Sequence, residues 1–284
     1  MEGLAFYKMS GHGNDFLLVD NRPGTVAESD MAALVRAACD RKRGVGADGM
    51  VFIQDGPAGV DFAWRFFNDD GNVAEMCGNA ARCAALFVHM LGLDRPTMRF
   101  LTLAGVIRAE VRPDAVKVQL PPARDLELDF DLEVDGRTIR MSGVNTGVPH
   151  VVIFDENAER APVKDLGRTI RFHPHFQPAG TNVNFARIES EHALYNRTYE
   201  RGVEDETLAC GTGCLASVLV AAAKGRVASP VAVTTQGGEI LTVHFARSGD
   251  GFQNLYLEGP VRVVCSGRLG PAFTAGHTKG ERDV

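Results

Sequence analysis

Along most of this chain, short apolar stretches rich in β-branched and aromatic residues are bounded by Gly, Asn and Asp, the pattern of strands and tight turns. In the first half these are YKMSGHGNDFLLVD, GMVFI, DFAWRFFN and MRFLTLAGVIRAEVR. In the second they are RTIRMSGVNTGVPHVVIF, TNVNFARI, LYNRTYER, PVAVTTQGGEILTVHF and NLYLEGPVRVV. Two stretches break the pattern. NAARCAALFVHML and GCLASVLVAAAKG are apolar on nearly every helical face, with Arg82 the one early charge in the first. A helix apolar all round must be enclosed, and the strands on either side are the available cover. Two further helices read as peripheral. SDMAALVRAACDRKRG has Ser29 or Asp30 as its expected N-cap and places Cys39 on its apolar side. AERAPVKDLGRTIRFH is its weaker counterpart. PPARDLELDFDLEVDGR reads as a crossing between halves, and the C-terminal PAFTAGHTKGERDV lacks any period.

The halves resemble each other. Cys77-Gly78 and Cys210-Gly211 lie 133 positions apart, and the same offset relates Phe52 to Phe185 and Phe66 to Tyr199. It also relates Thr102, Gly105 and Ile107 to Thr235, Gly238 and Ile240. Blocks that keep order and spacing indicate a duplicated unit, too long for a solenoid repeat. The expected fold is therefore α+β: two pseudo-symmetric domains from an internal duplication, each a mixed, barrel-like sheet around one buried central helix. The first spans 1–120, completed by about 262–274; the second spans 121–261; residues 275–284 form a mobile tail.

A length of 284 residues suits two domains of ordinary size. A hydrophobic content of 45% with 23% charged residues is that of a soluble globular chain. The formal charge of −6 offers no basic footprint for nucleic acid. No segment is apolar for long enough to span a bilayer, and MEGLAFYKMSGHGNDF lacks the pattern of a signal peptide. A cytoplasmic protein is expected, and in a reducing compartment six cysteines are not a disulfide framework. Their spacing lacks the close pairs of zinc sites, so no metal is expected.

Each Cys-Gly pair stands at the mouth of one of the enclosed helices. A helix N-terminus offers unpaired N–H groups and partial positive charge, which favour a thiolate and bind carboxylate. Glycine lets a ligand approach the backbone closely. Two such mouths suit inversion of a carbon next to a carboxylate: one thiolate removes a proton from one face while a thiol supplies one to the other. The helix mouths would stabilise the charge developing on the carboxylate. Cys83 and Cys214, further along the helices, read as packing, and His12 reads as a loop residue.

GHGNDF at 11–16, GADG at 46–49, FNDDGNVAEMCGNAARC at 67–83 and PHVV at 149–152 form an ordered set with GTNVNF at 180–185, YERG and ACGTG between 199 and 213, and LEGP at 257–260. In these motifs the chain resembles diaminopimelate epimerases. That resemblance implies a cofactor-independent enzyme that interconverts LL- and meso-diaminopimelate in lysine and cell-wall precursor synthesis, acting as a homodimer. It implies that Cys77 and Cys210 are the acid–base thiols, with their protonation tuned by His150 and Glu200. It assigns the reacting end of the substrate to Gly78, Asn79, Gly211 and Thr212, and the distal end to Asn14, Asn68, Asn182, Glu200 and Arg201. The chain departs from the family pattern at Val148, where many members have Asn, at Gly49, where some have Gln, and at Cys265, where certain relatives have Tyr at the dimer contact. A proline or hydroxyproline racemase shares the two-thiol logic but typically has His where this chain has Asn79. A thiol redox sensor would need no distal site.

Overall fold

The computed structural model describes residues 3–93, 95–249 and 251–274. The chain divides into two compact units, one formed by the residues up to Val116 with those from Val261 onward, the other by Lys117–Pro260.

The first unit runs β1 (Leu4–Gly11), β2 (Asn14–Asp20), α1 (Glu28–Cys39), β3 (Gly49–Gln54), β4 (Phe62–Asn68), α2 (Gly78–Met90), β5 (Thr97–Thr102) and β6 (Gly105–Val111). From β1 to β6 the pairing alternates: β1–β2 antiparallel, β2–β3 parallel, β3–β4 antiparallel, β4–β5 parallel, β5–β6 antiparallel. β7 (Val116–Gln119) carries the chain onward to β8 (Arg124–Val134), β9 (Arg137–Asn145), β10 (Pro149–Phe154), α3 (Val163–Arg171), β11 (Asn182–Ser190) and β12 (Ala193–Glu200). There follow β13 (Asp205–Thr207), α4 (Gly211–Ala223), β14 (Val231–Thr235), β15 (Ile240–Ser248) and β16 (Gly251–Gly259). Here β9–β10, β10–β11, β11–β12, β12–β14 and β14–β15 repeat the same alternation, each with the sense of its counterpart. The helices repeat as well. α1 and α3 sit in one pair of equivalent crossovers, α2 and α4 in the other. Thr102 Oγ1 donates across the β5–β6 turn to Gly105 O (2.8 Å), and Thr235 Oγ1 does so to Glu239 O across β14–β15 (3.0 Å). The duplication read from the sequence is thus a duplication of topology.

β17 (Arg262–Leu269) returns to the first unit and pairs antiparallel with β1, followed by the short α5 (Pro271–Thr274). Phe273 of α5 packs on the core beside α1; residues 275–284, expected as a mobile tail, lie outside the described part.

The sheets are covered on both faces. Leu17, Val19, Met50 and Phe52 meet Met31, Leu34, Val35 and Ala38 of α1. The other face meets α2, which packs on β1, β2, β3 and β6. Accordingly β2 and β3 read as continuous apolar runs and not as alternating ones. In the second unit α3 covers the outer face through Val163 and Ile170. α4 touches β9, β10, β11, β12, β14, β15 and β16, so the sheet curls around it. All ten residues from Gly213 to Ala222 are buried. Burying such a helix stabilises each unit by roughly 1.5–3 kcal/mol per large apolar side chain.

Three expectations need correction. α1 is capped by Ala27, with Glu28 already helical, and Ser29 Oγ instead donates to Asp30 Oδ1 (3.1 Å). It stops at Cys39 because Asp40 Oδ1 accepts from the N–H groups of Lys42 and Arg43 and turns the chain. The segment 121–137 is no mere crossing: β8 pairs along β9 and buries Leu132 and Val134. Its alternation of acidic and apolar residues is that of an edge strand. Within 158–173 only Val163–Arg171 is α-helical, since Pro162 starts it. Among the described residues no helix is long and apolar enough to cross a membrane. Nor does any group of three or more His, Cys, Asp or Glu side chains among them converge as a metal site.

Candidate active site

In the first unit Cys77 is the N-cap of α2, in extended backbone, followed by Gly78 and Asn79 in the first helical turn. The β1–β2 turn places Asn14 over this mouth. Asn14 Oδ1 accepts from the Cys77 thiol (3.8 Å) and from Asn79 Nδ2 (3.3 Å). Asn14 Nδ2 donates to Asp48 Oδ2 (2.6 Å), and Arg82 Nη2 donates to Asn79 Oδ1 (2.7 Å). Arg82 has only donors and Asp48 only acceptors, so these two ends fix both amides between them. Asn14 therefore turns its oxygen to Cys77. Asp48 is itself held by Arg41, which also bridges to Asp15. Burial pushes the Asp15 carboxyl up, but Arg41 and Lys8 outweigh it and hold it below the ordinary carboxylate value.

Arg82 is fully buried and lies 3.2 Å from His12 Nδ1. His12 is in a turn, as expected, but it is buried there at φ 57°. From the sequence neither Asp48, within GADG, nor Arg82, the one early charge of its helix, is assigned a role at this mouth. A lone arginine in an otherwise apolar helix was the available signal, since a buried charge must be paired. Asn68 ends β4, exposed, with its Cα opposite Gly49. A Cβ at Gly49 would sit 2.5 Å from Phe67 O, so this strand position admits no side chain without a backbone shift.

In the second unit Cys210 is likewise the N-cap of α4, in extended backbone. Its Sγ lies 3.4 Å from Thr212 Oγ1, and Thr146 Oγ1 donates to Thr212 O (3.1 Å), tying the first turn of α4 to the β9–β10 connection. Glu200, at the end of β12, accepts from Thr207 Oγ1 (3.0 Å) and from the Cys210 thiol. Burial pushes the Cys210 thiol well above its ordinary value, and the charge of Glu200 adds to this; Thr212 and the Gly213 N–H oppose it without prevailing. At this helix mouth desolvation outweighs the donors of the first turn. Burial also raises the Glu200 carboxyl, against the hydrogen bonds from Thr207 and Cys210. Cys39 and Cys83 are pushed up to about 12, first by burial, which fits packing roles.

Asn182 Nδ2 donates to Pro149 O (2.9 Å) and its Oδ1 accepts from the Arg201 N–H (2.8 Å), so this side chain clamps the start of the β12–β13 turn onto β10. Arg201 Nη1 donates to Ala179 O (2.8 Å), which anchors one arm of the guanidinium. His150, opposite Asn182 in the β10–β11 register, is buried; its Nδ1 meets Asn184 Nδ2 (3.1 Å). Burial, with a contribution from Arg201, lowers His150 to about 3. Its hydrogen-bond partner is thus an amide that was not singled out from the sequence, where Asn184 passed as one letter of GTNVNF. Val148, half-buried before Pro149, gives its carbonyl to Thr146 N–H (3.1 Å).

The family model described as diaminopimelate epimerase matches residues 6–124 and 142–264. A diaminopimelate epimerase of Aquifex aeolicus is 46% identical over 280 residues, covering 94% of this chain and 98% of its own. One from Archaeoglobus fulgidus is 42% identical, covering 83% and 87%. Among solved structures, a phenazine biosynthesis protein of the PhzF family from Bacillus anthracis is similar with a TM-score of 0.70 at 13% identity, covering 95% of this chain and 99% of its own. A probable proline racemase from Agrobacterium radiobacter is similar with a TM-score of 0.67 at 16% identity, covering 95% of each chain. Likeness at such identities concerns the fold alone.

Proposed function

The chain belongs to the diaminopimelate epimerase family, and from that premise we propose that it epimerises diaminopimelate with Cys77 and Cys210 as its two acid–base thiols. The observation that carries this is the recurrence of one device in two units of the same topology: a cysteine N-capping an enclosed helix, with glycine next. Cys210, kept protonated by burial and by Glu200, supplies a proton to the substrate carbon. Cys77, as the thiolate formed when its own thiol proton has left to solvent, removes the proton from the opposite face, and the thiols exchange protonation states over one turnover. Asn14, accepting from the Cys77 thiol, holds that sulfur in line. Glu200 receives the Cys210 proton when the reaction runs in reverse, being itself a carboxyl of raised affinity for protons. Each positioned acid or base contributes typically about 10²–10⁴-fold.

The N–H groups at Gly78, Asn79, Gly211 and Thr212 bind the reacting carboxylate and stabilise the charge it gains. Arg201 offers the free arm of its guanidinium to the distal carboxylate, and Asn68 and Asn182 frame the distal end. Carbon acidity beside a carboxylate is met by these donors and by the two thiols, without a cofactor. Exposed Val263, Val264 and Cys265 on β17 support self-association of the chain as a homodimer through that strand. The reaction takes place in the cytoplasm, in lysine and cell-wall precursor synthesis. The test is incubation with LL-diaminopimelate in buffer alone, with chiral separation of the products. Formation of the meso isomer is expected, and proline under the same conditions should remain unchanged. Failure with diaminopimelate together with turnover of proline would remove the proposal.

A further inference from the structure

Beneath the first turn of α4 runs a buried file of polar side chains: Ser217, Asn196, Thr198, Asn184 and His150, each at most 2% exposed. Its direction can be read from chemistry. Asn184 Nδ2 lies 2.9 Å from Val151 O, a carbonyl that can only accept, so this end of the amide is its NH₂. The second N–H of that group points to His150 Nδ1 at 3.1 Å, which must therefore be the unprotonated nitrogen. On the other side, Asn184 Oδ1 accepts from Thr198 Oγ1 (2.8 Å), which uses the only proton of that hydroxyl. Thr198 in turn accepts from Asn196 Nδ2 (3.1 Å), and Asn196 Oδ1 accepts from Ser217 Oγ (2.7 Å). Every bond runs one way, from Ser217 to the imidazole. α4 brings no charged residue over Gly211–Ala223, and Arg201 is the cation whose field reaches His150.

We propose that Asn184 is a positioning residue that, at the end of this one-way chain, locks His150 as the neutral Nε2–H tautomer. His150 is then a fixed hydrogen-bond donor near the mouth of α4, and it carries no exchangeable charge during turnover. Only the catalytic consequence rests on the two-thiol reading; the tautomer itself does not. Burial, with Arg201, separately lowers the affinity of His150 for a second proton.

Histidine labelled with ¹⁵N and long-range ¹H–¹⁵N correlation on the substrate-free protein test this, with the His150 signals identified by their loss in His150→Gln. Nδ1 should resonate as an unprotonated nitrogen and Nε2 as an N–H, unchanged between about pH 5 and about pH 8, where an ordinary imidazole changes charge. An Nδ1–H tautomer or an imidazolium in that range overturns the proposal, and this arm needs no variant that might misfold. Asn184→Leu should release the lock, giving mixed tautomers, with kcat lowered on the order of 10²-fold and KM little changed, as for a small misplacement near the reacting atoms. Thr198→Val leaves Val151 O to orient the amide and should keep the tautomer. If His150 is unchanged in folded Asn184→Leu, the positioning role is wrong. Were Cys77→Ala active but the nitrogen pattern as described, the two-thiol reading alone would fall.

Discussion

Gly213→Ala tests how closely α4 is seated on the polar file beneath it. A Cβ at Gly213 would lie 2.3 Å from Asn184 Oδ1 and 2.9 Å from Thr198 Oγ1, two atoms fixed by their hydrogen bond to each other. Neither can swing away as a chain end could. Either the first turn of α4 lifts or the Asn184–Thr198 bond breaks. Overpacking of a tight core costs about 1–3 kcal/mol, and loss of one buried hydrogen bond adds about 1 kcal/mol. Alanine returns up to about 1 kcal/mol through helix propensity, which leaves a net loss of about 1–3 kcal/mol. Gly211→Ala is the matched control: there the Cβ meets only the Leu257 Cδ2 methyl, at 2.7 Å, which can rotate aside. Urea denaturation should show Gly213→Ala less stable than wild type by that margin and Gly211→Ala within about 1 kcal/mol of it. Because Gly213 N–H also faces the Cys210 sulfur, kcat of Gly213→Ala should fall by about 10²-fold. Wild-type stability and turnover in Gly213→Ala would refute the close seating.

Other outcomes follow from the same geometry. Burial raises the Glu200 carboxyl above 4.5, so native protein holds a proton that the unfolded chain has released as pH climbs through the interval above 4.5. Stability is lost over that interval, and Glu200→Gln, measured by urea titration, should gain relative to wild type there but not below 4.5. For His150 the sign is opposite. Its native value of about 3 lies below the ordinary 6.5, so stability is lost as pH falls from 6.5 towards 3, by up to about 1.4 kcal/mol per unit. His150→Gln should flatten that acid limb. Arg201→Lys should cut kcat/KM for diaminopimelate by an order of magnitude or more while both thiols still react with iodoacetamide, because Lys lacks the planar fork for a carboxylate.

The two enclosed helices were legible in the sequence because no polar face interrupts residues 79–91 or 213–225, and the duplication because Cys-Gly, Phe and Thr recur at one spacing. Helix ends were less so. The chain offers Ser29 as a good cap, yet tertiary packing of Met31 and Val35 sets the register of α1, and Ala27 takes the cap position. β8 was hidden because an edge strand with acidic residues on its open face resembles a linker. At the candidate site, motif residues came from the sequence, but their partners did not. Asp48, Thr207 and Asn184 act through contacts 7 to 34 positions away in the chain, which no local pattern encodes, whereas Arg82 meets Asn79 one helical turn away. The sequence does not disclose which thiol stays protonated for a similar reason: a helix N-terminus is visible in sequence, whereas full burial of Cys210 beside a carboxylate is not.

The central claim is that two thiols share one carbon, and it is tested most directly by following LL-diaminopimelate in heavy water with native, Cys77→Ala and Cys210→Ala proteins. Native protein should yield meso-diaminopimelate carrying solvent deuterium at the inverted carbon. Each single variant should keep a native circular dichroism spectrum and yield no meso product, since a thiol on one face alone cannot invert the centre. Conversion by either variant at near the native rate would contradict the account.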